Sequence, residues 1–283
     1  MKKILAALLA MMMLAGSALA ADISEVRGFY NPDNLTGKAR YYARYMPYQK
    51  IILGSYPYEQ DGGRKPVVWW IIHVSEDKHA LMISEDILDV HQIIECESEA
   101  QSNARRFRRI KAFNESDLYT WMNGEMLDDL CSEQDFRAAL VETENGCCFP
   151  LTTEQWRNHE YGFPDDNKGT VEDHPPQLLS YIREAAPTEY CKAHKLYTTW
   201  KQNPRINISH GHSPYWTATL RNYKDWEHCY KVQIVGYDGH LSWGVYTRIN
   251  IGVRPSLLVD LNKINLVGGD GSSEHPWEVT LKP

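Results

Sequence analysis

His210-Gly211-His212 is the most metal-like cluster in the chain. Two imidazoles two residues apart share one face of an extended backbone, so both can reach one ion, with His228 or His240 completing the set. Metal sites need three or more placed ligands, and the stretch reads as a polar loop ahead of Tyr215, so no metal or other cofactor is assigned. Cys147-Cys148 could close a strained, easily reduced ring. No thiolate-stabilising surroundings accompany the pair, which reads instead as one buried thiol beside one in a disulfide. The basic run Arg105-Arg106-Phe107-Arg108-Arg109-Ile110-Lys111 could hold an anionic wall polymer, but its charge density fits a solvated face. There is no Gly-x-Ser-x-Gly elbow, His-Glu-x-x-His helix or phosphate loop. Asp128-Asp129 and Asp165-Asp166 read as helix-end and loop charge, so no catalytic residue is assigned.

Nine Trp and seventeen Tyr give the chain a heavy aromatic load. Flat rings stack on sugar faces, which suits an exported carbohydrate binder. Trp69, Trp121 and Trp216 stand in apolar patterns and are expected in the core. Tyr161, Trp200, Trp226 and Trp243 stand in polar or irregular contexts. The irregular stretches 161–176, 201–214 and 222–228, with the hairpin end Ser242-Trp243, make Tyr161, His210, His212, Trp226 and Trp243 the ligand-binding candidates. Arg254 interrupts an apolar run and is followed at once by Pro255. A guanidinium there needs a buried carboxylate or carbonyl partner, so Arg254 is expected to be structural.

The elements that would position these groups follow from pattern. Ile51-Ile52-Leu53-Gly54, residues 66–74 and residues 80–84 read as strands, the last two as a hairpin. Residues 114–123 read as a helix, capped within Asn114-Glu115-Ser116-Asp117, with Leu118, Trp121, Met122 and Met126 at helical spacing. A second short helix is expected over 132–136 and a third after Thr152-Thr153. Strands return at 215–220, 230–235, 251–261 and 277–281, with a hairpin at Asp238-Gly239. Strands, then helices, then strands, without βαβ alternation, predict an α+β domain. Residues 21–49, with a short helix at 38–45, read as an extension ahead of a single domain over 50–283.

Lys2 and Lys3, the apolar stretch 4–16 and Ala18-Leu19-Ala20 read as a cleaved signal peptide over residues 1–20. The protein is therefore expected outside the cytoplasm: periplasmic, secreted or at the cell surface, with no membrane span after cleavage. The net charge of −7 becomes more negative once the leader's two lysines are removed. That argues against a nucleic-acid partner. Six cysteines in an exported chain permit disulfides in several pairings.

Gly54-Ser55-Tyr56-Pro57 ahead of Val68-Trp69-Trp70-Ile71-Ile72, the helix at 114–123, Tyr215-Trp216-Thr217-Ala218-Thr219, and Gly252-Val253-Arg254-Pro255-Ser256-Leu257 occur in order over residues 50–262. This set resembles a bacterial domain-of-unknown-function family of exported and cell-surface proteins. The closing stretch from Gly269-Asp270-Gly271 to His275-Pro276-Trp277 is similar to the ending found beside such domains. The arrangement is in turn similar to the C-type-lectin-like fold, which also hosts formylglycine-generating enzymes. The resemblance implies a mixed, mainly antiparallel sheet with two to four short helices and long loops. It departs from that wider pattern in lacking the calcium-site triplets, the paired C-terminal cysteines and the usual Trp-Trp-Leu-Arg-Ser. The expected function is a non-enzymatic binder of a glycan or cell-surface ligand. The alternative is a secreted glycan hydrolase or metal-dependent oxidase.

Overall fold

The computed structural model describes residues 22–29, 48–95, 110–163, 181–194, 196, 211–221, 231–246 and 250–283. The β-branched and aromatic runs in the first part of the domain form an antiparallel meander of β1 (Gln49–Pro57), β2 (Arg64–Val74) and β3 (His79–Ser84). Trp69 is opposite Ile51 in the register, is fully buried, and donates its indole N–H to the Leu53 carbonyl at 2.8 Å. That bond lets the indole sit in the core without an unpaired donor.

Gly54 interrupts β1 with a φ of +69°, where the pairing with β2 shifts register. A Cβ there would lie 2.5 Å from the Leu130 carbonyl oxygen and 2.6 Å from the Phe136 ring. Glycine therefore serves twice: it adopts the left-handed backbone and admits the neighbouring segment. The expected helix over 132–136 does not form. Phe136 is drawn into the core, and Gln134 accepts from the Gly54 N–H at 3.3 Å while donating to the Val279 carbonyl at 3.1 Å. Only a 3₁₀ turn, Arg137–Ala139, follows.

The main helical stretch starts where the caps predict. The Ser116 hydroxyl accepts the Tyr119 N–H at 3.0 Å, and Asp117 occupies the first turn of α1 (Asp117–Trp121). A π-helical turn, Met122–Met126, leads into α2 (Leu127–Leu130). Leu118, Met122, Met126, Leu127 and Leu130 are buried. The wider turn places Asn123 against the short strand β5 (Cys148–Phe149). Its carboxamide accepts the Cys147 and Cys148 N–H groups at 2.7 and 3.0 Å and donates to the Cys148 carbonyl at 3.0 Å. The helix expected after Thr152-Thr153 is only the 3₁₀ turn Gln155–Arg157, because Asn158 caps a new turn, His159–Tyr161.

The chain then builds α3 (Glu189–Ala193), β6 (Tyr215–Arg221), β7 (Lys231–Val235) and β8 (Leu241–Tyr246). The strand expected at 251–261 is two strands. β9 (Ile251–Val253) pairs with β4 (Asp89–His91) and β6, whereas β10 (Ser256–Asp260) pairs with β3 and β5. Pro255 has no N–H to give a ladder, and the chain changes sheet at Arg254-Pro255. β11 (Ile264–Gly268), which the sequence pattern did not bring out, and β12 (Trp277–Leu281) complete the first sheet. Its order is β11-β12-β1-β2-β3-β10-β5, and the second sheet runs β4-β9-β6-β7-β8. Pairing is antiparallel except for β1 with β12 and β6 with β9. Buried side chains from both sheets belong to one hydrophobic core. The architecture is mixed α+β with mainly antiparallel sheets.

Residues 22–29, read as part of an extension, pack on the domain: Val26 is buried and Phe29 donates its N–H to the Ile72 carbonyl at 3.1 Å. The expected helix at 38–45 lies outside the described residues. No helix among them is long and apolar enough to cross a membrane.

Candidate functional site

Two of the segments that carry the chain between the sheets are short, residues 84–88 from β3 to β4 and residues 254–255 from β9 to β10. They run side by side. Ser84 donates its N–H to the Pro255 carbonyl at 2.9 Å, and Leu88 donates to the Val253 carbonyl at 3.0 Å. Arg254, 1% exposed, sits at the bend. Its Nε donates to the Ser84 carbonyl at 2.8 Å, and its Nη1 donates to the Arg183 carbonyl at 3.3 Å and the Tyr215 hydroxyl at 3.2 Å. The guanidinium carbon lies 4.9 Å from the Trp70 ring centroid, 5.4 Å from Tyr215 and 5.8 Å from Trp156. The ring quadrupoles thus replace some of the hydration a buried cation loses. Arg254 was expected to need a carboxylate or carbonyl partner, and carbonyls are what it contacts.

Arg183 is a second buried guanidinium. It donates to the carbonyls of Trp156 and Gly239, both at 3.1 Å. The Tyr215 hydroxyl donates to the Arg183 carbonyl at 2.5 Å. Burial pushes the Tyr215 phenol up to about 12, against the opposing pull of Arg254. These groups cross-link loops and sheets; none of them is poised as a nucleophile.

The same crossing segment carries Glu85 and Asp86, and Asp89 opens β4 just beyond it. Burial raises the Asp86 carboxyl above its ordinary value; neighbouring Glu85 adds to the shift, while Arg254 and the Tyr58 hydroxyl oppose it. Lys50 pairs with Glu85. Asp89 is buried and also raised by burial, although the Tyr56 hydroxyl donates to it at 2.5 Å and the Val90 N–H at 2.7 Å. The phenols of Tyr56 and Tyr58 are pushed upward, burial being the largest cause. Beside them the Cys191 thiol donates to the Ile87 carbonyl at 3.1 Å. His91 stacks on Trp121 with centroids 4.5 Å apart, and Tyr190 packs against His194. A carboxyl held protonated above its usual range can donate a proton, so Asp86 and Asp89 are the described acids with catalytic chemistry available to them.

The ligand-binding candidates are distributed as follows. Tyr161 is partly buried, packs on His73 at 5.2 Å, and its carbonyl accepts the Tyr48 hydroxyl at 2.7 Å. His212 pairs through Nδ1 with Glu184 at 2.8 Å. Trp243 belongs to β8, and its side chain lies outside the described residues, as do His210 and Trp226. Tyr161 and His212 thus have separate partners, and no common binding pocket is shown. Trp69 and Trp216 are core residues, and the Trp216 indole donates to the His91 carbonyl at 2.8 Å. Trp121 is partly buried: it packs against the core cluster and stacks on His91. Arg183, Glu184, Asp86 and Asp89 were not singled out from sequence. The available signal was three acids among apolar residues in Ile83-Ser84-Glu85-Asp86-Ile87-Leu88-Asp89, a pattern that reads as turn charge when topology is unknown.

Among the described residues no group of three His, Cys, Asp or Glu is placed to hold a metal ion. Cys131, Cys147, Cys148 and Cys191 are free thiols. The reading of one Cys147-Cys148 member as disulfide-bonded is therefore corrected: the Asn123 clamp holds both backbones while both thiols stay unbridged. Cys96 and Cys229 lie outside the described residues. Burial raises all four described thiols, Cys191 to about 12, the opposite of an activated nucleophile. Comparison of the chain with protein-family models, curated proteins and solved structures finds no match.

Proposed function

We propose that this is an exported, non-enzymatic ligand- or surface-binding protein of C-type-lectin-like architecture, with a glycan, cell-wall polymer or protein as its ligand. The observation that carries this reading is the His212–Glu184 pair. Its side chains keep 26% and 20% exposure while the backbone beneath them is fixed, Ser213 donating to the Ala185 carbonyl at 3.2 Å just ahead of β6. Polar groups on connecting segments anchored to a scaffold are the usual means by which it presents a binding face. The mature protein is screened against glycans and cell-wall polymers, with His212→Ala and Glu184→Ala as variants. A ligand bound by the wild type and weakened about tenfold in both variants supports the reading, a loss of roughly 1.4 kcal/mol. Binding unaffected by either variant moves the site elsewhere, and absence of binding alongside glycan turnover rejects the proposal.

One observation favours a secreted glycan hydrolase instead: two carboxyls with raised pKa, Asp86 and Asp89, on one short segment. Glycosidases work with such a pair. Against it, Asp89 is buried and both its oxygens accept hydrogen bonds from the protein. Turnover of a polymeric glycan, lost in both Asp86→Asn and Asp89→Asn, would establish that alternative.

A further inference from the structure

The guanidinium of Arg254 is not fully used. Its Nε and Nη1 are bonded, but its Nη2 is buried without a hydrogen-bond partner. Two more buried donors without partners belong to the rings stacked on it, the indole N–H groups of Trp70 and Trp156. Among the described residues no carboxylate lies at ion-pair distance from Arg254; Asp86 acts on it through space and is itself hydrogen-bonded to Tyr58. A buried cation therefore coincides with three unfilled groups that are all donors. Leaving such groups unfilled is costly.

The chemistry of that set selects its complement. Ring faces favour the guanidinium, but the indole N–H lies on the positive ring edge, where negative charge is welcome. A water molecule could accept from these donors, yet it would bring two hydrogens needing acceptors of their own. An ion that only accepts has no such need. We propose that Arg254 Nη2, with the indole N–H groups of Trp70 and Trp156 around it, binds a small monovalent anion of the halide or formate class. Tyr48 stacks on Trp70 at 5.4 Å and Phe163 packs on Trp156 at 4.6 Å, so both indoles are held by further rings, and the burial of all three donors favours a small ion. Trp70 is only partly buried and gives the box its side toward the surface.

The test compares thermal unfolding in sodium chloride, sodium formate and sodium gluconate at equal ionic strength, with crystals grown in bromide. Gluconate is too bulky for the box and serves as the reference. The expected result is a midpoint about 3–6 °C higher in chloride or formate at about ten times Kd, and an anomalous bromide peak touching Arg254 Nη2. A larger effect of chloride than of formate identifies a halide site, and the reverse a carboxylate site. Trp156→Phe and Trp70→Phe keep the rings, remove one donor each, and should each shrink the difference between chloride and gluconate even if overall stability falls. Identical midpoints in all three salts, or ordered water alone at Nη2 in bromide crystals, overturn the proposal. So does a chloride effect that persists undiminished when both tryptophans are replaced.

Discussion

Arg254 donates through Nε to the carbonyl of Ser84 at 2.8 Å, across 170 positions of sequence. That contact joins two of the places where the chain passes from one sheet to the other, β3 to β4 and β9 to β10. It converts two adjacent crossings into one braced ribbon, with the β4–β9 pair on one side and the β3–β10 pair on the other.

Arg254→Ala should therefore be among the most damaging single changes in the domain. It takes the guanidinium donor from the Ser84 carbonyl, leaves the Arg183 carbonyl with the Tyr215 hydroxyl, and opens a space beneath Trp70. The expected loss is about 3–5 kcal/mol, read as a large fall in the thermal midpoint. Arg254→Lys should recover little, since an ammonium cannot reproduce the fork that serves Ser84 and Tyr215 together. An unchanged midpoint for either variant would refute the bracing role.

Gly252 offers a test of the same seam without touching a charge. A Cβ at this position would lie 2.6 Å from Ile87 Cγ2 and 2.8 Å from the Pro214 carbonyl oxygen. Gly252→Ala should cost about 1–3 kcal/mol by overpacking, although alanine suits a strand better than glycine does. Denaturant unfolding checks it; stabilisation would mean the crossing is looser than described.

The pH dependence of stability should carry the mark of Asp89. Burial raises its folded-state pKa above 3.8, so the folded protein holds a proton that the unfolded chain has already released. Its contribution is present below the unfolded value and is lost as pH rises through the folded one. Asp89→Asn should flatten that decline in stability above pH 3.8, since it removes the titrating proton while its Oδ1 still accepts from the Val90 N–H. A slope unchanged between wild type and variant in a pH series of thermal midpoints would contradict the assignment.

Thiol chemistry gives a fourth expectation. With burial holding the described thiols protonated, and Cys191 at about 12, alkylation of the native protein at mildly alkaline pH should be slow at Cys131, Cys148 and Cys191. Cys147, the least buried of the four, should react first among them. Peptide mass spectrometry after timed labelling resolves each position; rapid modification of Cys148 or Cys191 in the folded state would refute the burial described.

The elements legible in the sequence were those set by short-range physics. β-branched and aromatic runs marked β1, β2 and β3, the Ser116-Asp117 cap marked the start of α1, and Asp238-Gly239 marked the β7–β8 hairpin. Even the need for partners around Arg254 followed from the cost of burying a guanidinium in an apolar run. Other features depended on residues far apart in the chain. The 132–136 helix failed because Phe136 found the space opened by Gly54, some eighty positions earlier. The strand at 251–261 became two because the hydrogen-bond partners on either side of Pro255 belong to different sheets. Asp86 and Asp89 were not singled out at all, because their burial depends on segments distant in sequence. Propensity is a property of neighbours in sequence, whereas burial, sheet membership and the company of a charge are fixed only when distant segments meet.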